Sequence, residues 1–205
     1  MNLEERWANL CLGIVESADA ATVTAWGSLL LALYGAPDRH YHAKRHLVDV
    51  LARLDANRFR FRDPATAEVA LWFHDAIYAV PSKRNEEASA EMCAAFLTSI
   101  GADQCRKAPL MILATKHDGK MAPDQDTALV LDIDIAGFAD PWPAFSANNE
   151  RIRKEFAVYD EPTYRAGRSS FLRGLLGRGP IFRVLTDLES PARANIARHI
   201  AELTT

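Results

Sequence analysis

Asp63-Pro64-Ala65-Thr66-Ala67-Glu68-Val69-Ala70-Leu71-Trp72-Phe73-His74-Asp75-Ala76-Ile77-Tyr78 is the stretch on which the fold turns. Asp63 suits an N-cap and Pro64 a first helical residue, so the stretch predicts a helix over 64–78. Apolar side chains occupy every face of its second half, which marks a helix buried on all sides. A carboxylate there is costly unless a cation or strong donors receive it. The His beside it adds a neutral nitrogen ligand, so the pair His74-Asp75 suggests a metal site. The plain alternative is a helix end at which Asp75 reaches solvent and His74 caps carbonyls.

His or Asp interrupts apolar sequence in three other places. His46 stands one turn before Val50, at the border of a face made by Leu47, Val50, Leu51 and Leu54. His117 follows the apolar run Pro109 to Ala114. Asp132 and Asp134 break the run Ala128 to Ala136. A lone His on such a face is more often a satisfied core residue than a ligand; several His and Asp, each in a separate run, are harder to assign to packing.

Outward from these runs, nearly every segment has helical period. Helices are expected over residues 2–17, 21–34, 42–54, 64–78, 85–100, 103–117, 126–138, 142–159, 163–176 and 190–203. Asn85 is read as a cap, and Pro109 as a kink or a restart. Residues 126–138 also suit a strand, because Leu129, Leu131, Ile133 and Ile135 alternate. Helix is preferred, since no other segment offers a strand to pair with. In a helix Asp132 and Asp134 diverge by about 200°, so they have different jobs; Asp132 is expected to bond a neighbouring helix or to support a ligand from behind. Gly174 to Pro180 lacks the Lys-Ser/Thr of a phosphate loop and reads as a turn.

The 205 residues, 49% hydrophobic, suffice for one substantial core, and a single domain over 1–205 is expected. A net charge of −3 gives no basic field for a nucleic-acid polymer. Cys11, Cys93 and Cys105 have no Cys-x-x-Cys spacing and read as reduced thiols. Glu4, Glu5 and Arg6 do not suit a secretory signal, and no apolar run is long enough to span a bilayer. The expectation is a cytoplasmic protein with no membrane partner; a homodimer is left open.

The order His46, then His74-Asp75, then a late Asp resembles the HD superfamily of metal-dependent phosphohydrolases. The likeness is closer to a bacterial subgroup of predicted HD phosphohydrolases. It rests on His40-Tyr41-His42 before His46, Trp72 to Tyr78, Asn85-Glu86-Glu87 with Ser89-Ala90, and Thr115-Lys116-His117. Asp132-Ile133-Asp134, Tyr164 with Gly167-Arg168, and Ala192-Arg193 with Asn195 extend it, so that it covers roughly residues 20 to 203. The resemblance implies an all-α fold, a single HD-domain-like helical bundle, with His46, His74, Asp75 and Asp134 as metal ligands. Asp134 is chosen over Asp132 because the family's Asp stands a few residues before a small residue, as Asp134 does before Gly137.

Two imidazoles and two carboxylates suit one divalent ion: Mn, Mg, Fe, Co, Ni or Zn. Four protein ligands leave room for water and a substrate oxygen, which suits hydrolysis of a phosphate ester or anhydride by water activated at the ion. The expected substrate is a small phosphorylated molecule, with nucleotides among the candidates, losing phosphate or pyrophosphate. Positive charge for it is sought at Lys116, Arg153, Arg165, Arg168 and Arg193; Lys116, Arg153 and Arg168 are preferred, and a solvated helix face or ion pair is the alternative for each. Glu86 either orients the attacking water or is an N-terminal helix charge. His117 is read as a ligand of phosphate or of a second metal, with one metal preferred because no further carboxylate groups with it, and His42 with His40 and Tyr41 is assigned to the pocket mouth or a polar turn.

Three rival functions remain. A non-catalytic nucleotide-binding HD module would tend to lose part of the quartet. An HD-type di-iron oxygenase would need more His and carboxylate ligands. An Asp-x-Asp phosphatase with Asp132 as nucleophile would need a strand and a doubly wound sheet.

Overall fold

A computed structural model describes residues 2–119 and 122–204. The described residues form ten α-helices and no strand: α1 Leu3–Ile14, α2 Ala20–Leu33, α3 Lys44–Asn57, α4 Pro64–Phe73, α5 Asn85–Ile100, α6 Ala108–Ala114, α7 Gln125–Ile135, α8 Trp142–Glu155, α9 Glu161–Gly177 and α10 Glu189–Thr204. The all-α expectation holds, and the ambiguous segment around Asp132 and Asp134 is helix α7.

One local device starts four of these helices. Asp19, Asp63, Asp124 and Asp160 each accept the backbone N–H of a threonine three residues on. An acceptor there satisfies an amide that has no partner inside the helix. At Asp63 the cap is completed by Pro64 in the first turn and by the Thr66 hydroxyl, 2.6 Å from the second carboxylate oxygen. Asn85 differs from expectation. It is the first residue of α5, and its side chain instead bonds Ala79 N and O, closing the loop before the helix. The segment after Asp103 also differs: a 3₁₀ turn covers Asp103–Cys105, and α6 restarts with Pro109 in its first turn.

Helix α4 runs through the centre of the core, with every residue from Thr66 to Phe73 buried. Trp7 of α1 lies edge-on to Trp72, with ring centroids 5.2 Å apart, and Phe73 stacks on Phe96 of α5 at 5.2 Å. Gly27 lets α2 approach this cluster, since a Cβ there would stand 2.5 Å from the Trp7 ring. Glu68, the one acid inside α4, is received by Arg6 Nε at 2.7 Å and by Arg58 at 3.0 Å. A smaller apolar cluster, Leu172, Leu175, Ile196 and Ile200, joins α9 to α10.

The helix expected over 64–78 ends at Phe73. Arg39 explains the stop: its guanidinium takes Asp75 O at 2.6 Å and Ala76 O at 2.7 Å, carbonyls that a continuing helix would keep for itself. Ser89 Oγ accepts Ile77 N, and Pro81 has no N–H to offer a further turn. Asp75 therefore sits in a turn, not on a helix face.

Candidate metal centre

Three packed helices meet at the site. His46 comes from α3, His74 caps the end of α4 and Asp75 follows it, and Asp134 is in the last turn of α7. His74 Nδ1 lies 2.8 Å from Leu71 O, which fixes the ring with Nε2 turned into the cluster. The two imidazole Nε2 atoms face each other at 3.1 Å. Asp75 Oδ2 lies 3.0 Å from His74 Nε2 and 3.6 Å from His46 Nε2. Asp134 Oδ1 lies 3.4 Å from both. One donor atom from each residue falls within 4.8 Å of the others, and this group can hold a metal ion.

The spacings fit such an ion. Ligands about 2.1 Å from an octahedral cation stand about 3 Å apart when adjacent, and about 4.2 Å when opposite. The distances in the cluster, 3.0 to 3.6 Å, are those of adjacent ligands. Two buried ring nitrogens pointing at one spot with two carboxylates around them are what a cation satisfies best.

Without an ion, charge inside the cluster is shared by protons. Burial opposes a charged His74, but the Asp75 carboxylate overrides it and holds the imidazole well above its usual range. Burial likewise opposes charge on Asp75, and His74 and His42 outweigh it, leaving the carboxyl well below its usual range. Asp134 is lowered in the same way, against burial, by His117, His46 and His74.

The cluster opens into a cavity of about 620 Å³. His42, Glu86, Lys116, His117 and Arg168, all singled out by sequence, line it. Their surroundings divide them. His117 Nε2 lies 2.9 Å from Asp134 Oδ2, so this ring braces a candidate ligand from behind. Lys116 bonds Glu87 and donates to Lys83 O at 3.0 Å, so its charge is already paired. Arg168 has no carboxylate partner among the described residues: it donates to the neutral Asn149 Oδ1 at 2.7 Å, and its buried Nε has no hydrogen-bond partner among them. Burial lowers the pKa of this guanidinium.

Arg153 does not line the cavity. Its guanidinium bonds Glu161, Phe156 O and Tyr159 O, bracing the passage from α8 to α9. Arg165 and Arg193 are likewise spent on helix ends, on Glu202 O and Leu203 O, and on Glu189 and Leu176 O. Asp132 neither supports a ligand nor bonds a helix. It accepts the backbone N–H groups of Arg183, Val184 and Leu185, at distances from 2.6 to 3.1 Å, and so anchors the loop before α10. A helical Asp132 with both oxygens taken by amides is no phosphatase nucleophile.

Two organising residues escaped the sequence reading. Arg39 holds the Asp75 turn. Glu155, at the end of α8, accepts the backbone N–H groups of His40, Tyr41 and His42 and pairs with His42 Nδ1 at 2.6 Å. With Nδ1 engaged and the ring stacked on Tyr78 at 4.0 Å, His42 keeps Nε2 for the cavity. Neither had a local signal, because their partners lie 36 and 113 residues away.

No family model, curated protein or solved structure matches the chain. Among the described residues no helix is long and apolar enough to cross a membrane.

Proposed function

We propose that this chain is a metal-dependent phosphohydrolase of the HD type, releasing phosphate or pyrophosphate from a small phosphorylated molecule, with nucleotides among the candidate substrates. One observation carries the reading: the His46, His74, Asp75 and Asp134 cluster opens into a cavity that also holds an arginine with no carboxylate partner among the described residues. A cation site next to an uncompensated guanidinium suits an anion that must both reach the ion and be neutralised.

A divalent ion in the cluster supplies Lewis acidity toward a phosphoryl group and toward water. The chain supplies the rest. Asp75 and Asp134 balance the charge of the ion, and His117 holds Asp134 in register through its second oxygen. Arg168 offers N–H donors to phosphoryl oxygens. His42, oriented by Glu155, presents Nε2 to the same region. To Glu86, a carboxylate of the cavity wall, falls the role of accepting a proton from water or orienting it.

The test is a phosphate-release screen over nucleotides and small phosphoesters, with Mn, Mg, Fe, Co, Ni and Zn each supplied to metal-stripped protein. Release that needs the ion and disappears in Asp75→Ala supports the reading. No release from any substrate with any ion overturns it in favour of a binding module.

A further inference from the structure

We propose that the side of the cavity built by α8 and α9 receives a flat, uncharged aromatic group of the substrate, and that Gly167 is the gap through which that group is admitted. The proposal rests on the phosphohydrolase reading for the other end of the molecule.

Tyr164, Gly167, Arg168 and Phe171 recur at three- and four-residue spacing, which puts them on one face of α9, and all four line the cavity. Phe156 and Tyr159, from the end of α8 and the turn after it, line it too, their rings 26° from parallel. Phe171 is 41% exposed, so its ring is free to meet a group in the cavity. The Arg168 guanidinium lies 5.5 Å from that ring and 5.9 Å from Phe138, adding a flat cationic face to the aromatic ones. Such surfaces stack on planar groups.

Gly167 is the second observation. It lies inside a helix, where glycine is unfavourable. Its backbone is not left-handed, and a Cβ there would meet nothing within 4 Å. Neither a turn nor a close helix approach calls for glycine here. Its effect is to keep the wall open between Tyr164 and Phe171.

The polar groups argue against a polyol. The carboxylates lining the cavity, Asp75, Glu86 and Asp134, come from the α4 turn, α5 and α7; none comes from α8 or α9. Asn149, within reach on this side, already spends its oxygen on Arg168 and its amide on Phe145 O. Thr163, Tyr159 and Tyr164 bring only single hydroxyls to this side, and no carboxylate there offers a polyol the paired acceptors that its hydroxyls use best. Arg168, with no carboxylate partner among the described residues, disfavours a cationic group. The volume of about 620 Å³ leaves room for a fused ring beyond the phosphate.

The test compares three primary alkyl phosphates with similar leaving groups: 2-naphthylmethyl, glucose 6- and ethyl phosphate. The metal-loaded protein should favour the naphthylmethyl ester over glucose 6-phosphate at least tenfold in kcat/KM. Gly167→Leu should cut the naphthylmethyl-to-ethyl ratio at least tenfold, chiefly through KM. Phe171→Ala, which removes a stacking face instead of filling the gap, should lower the same ratio and serves if the Leu variant does not fold. An unchanged ratio in a folded variant, or glucose 6-phosphate as the equal of the naphthylmethyl ester, overturns the proposal. If no ester is hydrolysed, the phosphohydrolase reading fails and calorimetry with 2-naphthylmethylphosphonate and ethylphosphonate decides this proposal alone. Tighter binding of the naphthyl compound, weakened at least tenfold in the variant, upholds it; equal or absent binding overturns it.

Discussion

His117 Nε2 lies 2.9 Å from Asp134 Oδ2, while the other oxygen of that carboxylate faces His46 and His74 at 3.4 Å. One carboxylate thus joins the ligand cluster to a ring behind it. His117 adopts φ 49°, in the left-handed region, where a non-glycine residue costs about 1–3 kcal/mol. The bond to Asp134 is among the contacts that hold it there. His117→Ala should weaken metal affinity by about 10–100-fold without unfolding the chain. Titration of metal-stripped variant and parent with Mn²⁺ measures this; equal affinities would leave His117 with no part in holding Asp134.

Asp132 and Asp134 should fail differently. Asp134→Asn should lose the ion. Asp132→Ala should keep it but lose about 1–3 kcal/mol of stability, because three backbone amides, that of Leu185 buried, are left without their acceptor. Metal content and urea unfolding, measured on both variants, separate the two roles. Metal loss in Asp132→Ala at full stability would mean that the wrong carboxylate has been placed at the ion.

The same contrast separates two arginines. Arg168→Ala should raise KM for a phosphorylated substrate about tenfold or more, with metal content unchanged. Arg153→Ala should leave KM unchanged and lower thermal stability, since its bonds brace the passage from α8 to α9. Steady-state kinetics with metal analysis checks both, and the opposite pattern would return Arg153 to the site.

Protons and the ion should compete for His74. Its metal-free imidazole is raised above the usual value, so proton-linked stability is full below about pH 6.5 and is lost as pH rises through the folded value. Asp75 and Asp134 are lowered, so their contribution is present above about pH 4 and is lost as pH falls through their folded values. The metal-free protein should therefore melt at lower temperature as pH rises above neutral, and Mn²⁺ should reverse the loss. Metal affinity should fall about tenfold per pH unit below the folded His74 value. Melting curves with and without Mn²⁺ test this; a pH-independent metal affinity would show that His74 is not a ligand.

How far the sequence could be read follows from where each signal lies. The helical period placed nine of the ten helices, because apolar side chains repeat along each segment whatever they pack against; α7, whose alternation also suits a strand, was placed by the lack of a strand to pair with it. The opposed directions of Asp132 and Asp134 were legible from helix geometry alone, and the structure bears the divergence out. The destination of Asp132 was not legible, since the loop it anchors lies 51 to 53 residues on. The end of α4 was misjudged for the same reason: apolar sequence continues to Tyr78, and only Arg39, distant in the chain, draws the carbonyls away. Asn85 had the composition of a cap, but its amide was claimed by the loop before it. Of the candidate cations, the sequence could not show that Lys116 and Arg153 have acidic partners and that Arg168 does not.

The most direct test of the account is metal stoichiometry. Equilibrium dialysis of metal-stripped protein against Mn²⁺ should give one ion per chain, and Asp75→Ala, still folded by circular dichroism, should retain less than about a tenth of that occupancy. A parent that binds no ion, or a variant that binds it as well as the parent, would contradict the assignment of His46, His74, Asp75 and Asp134 as a metal centre.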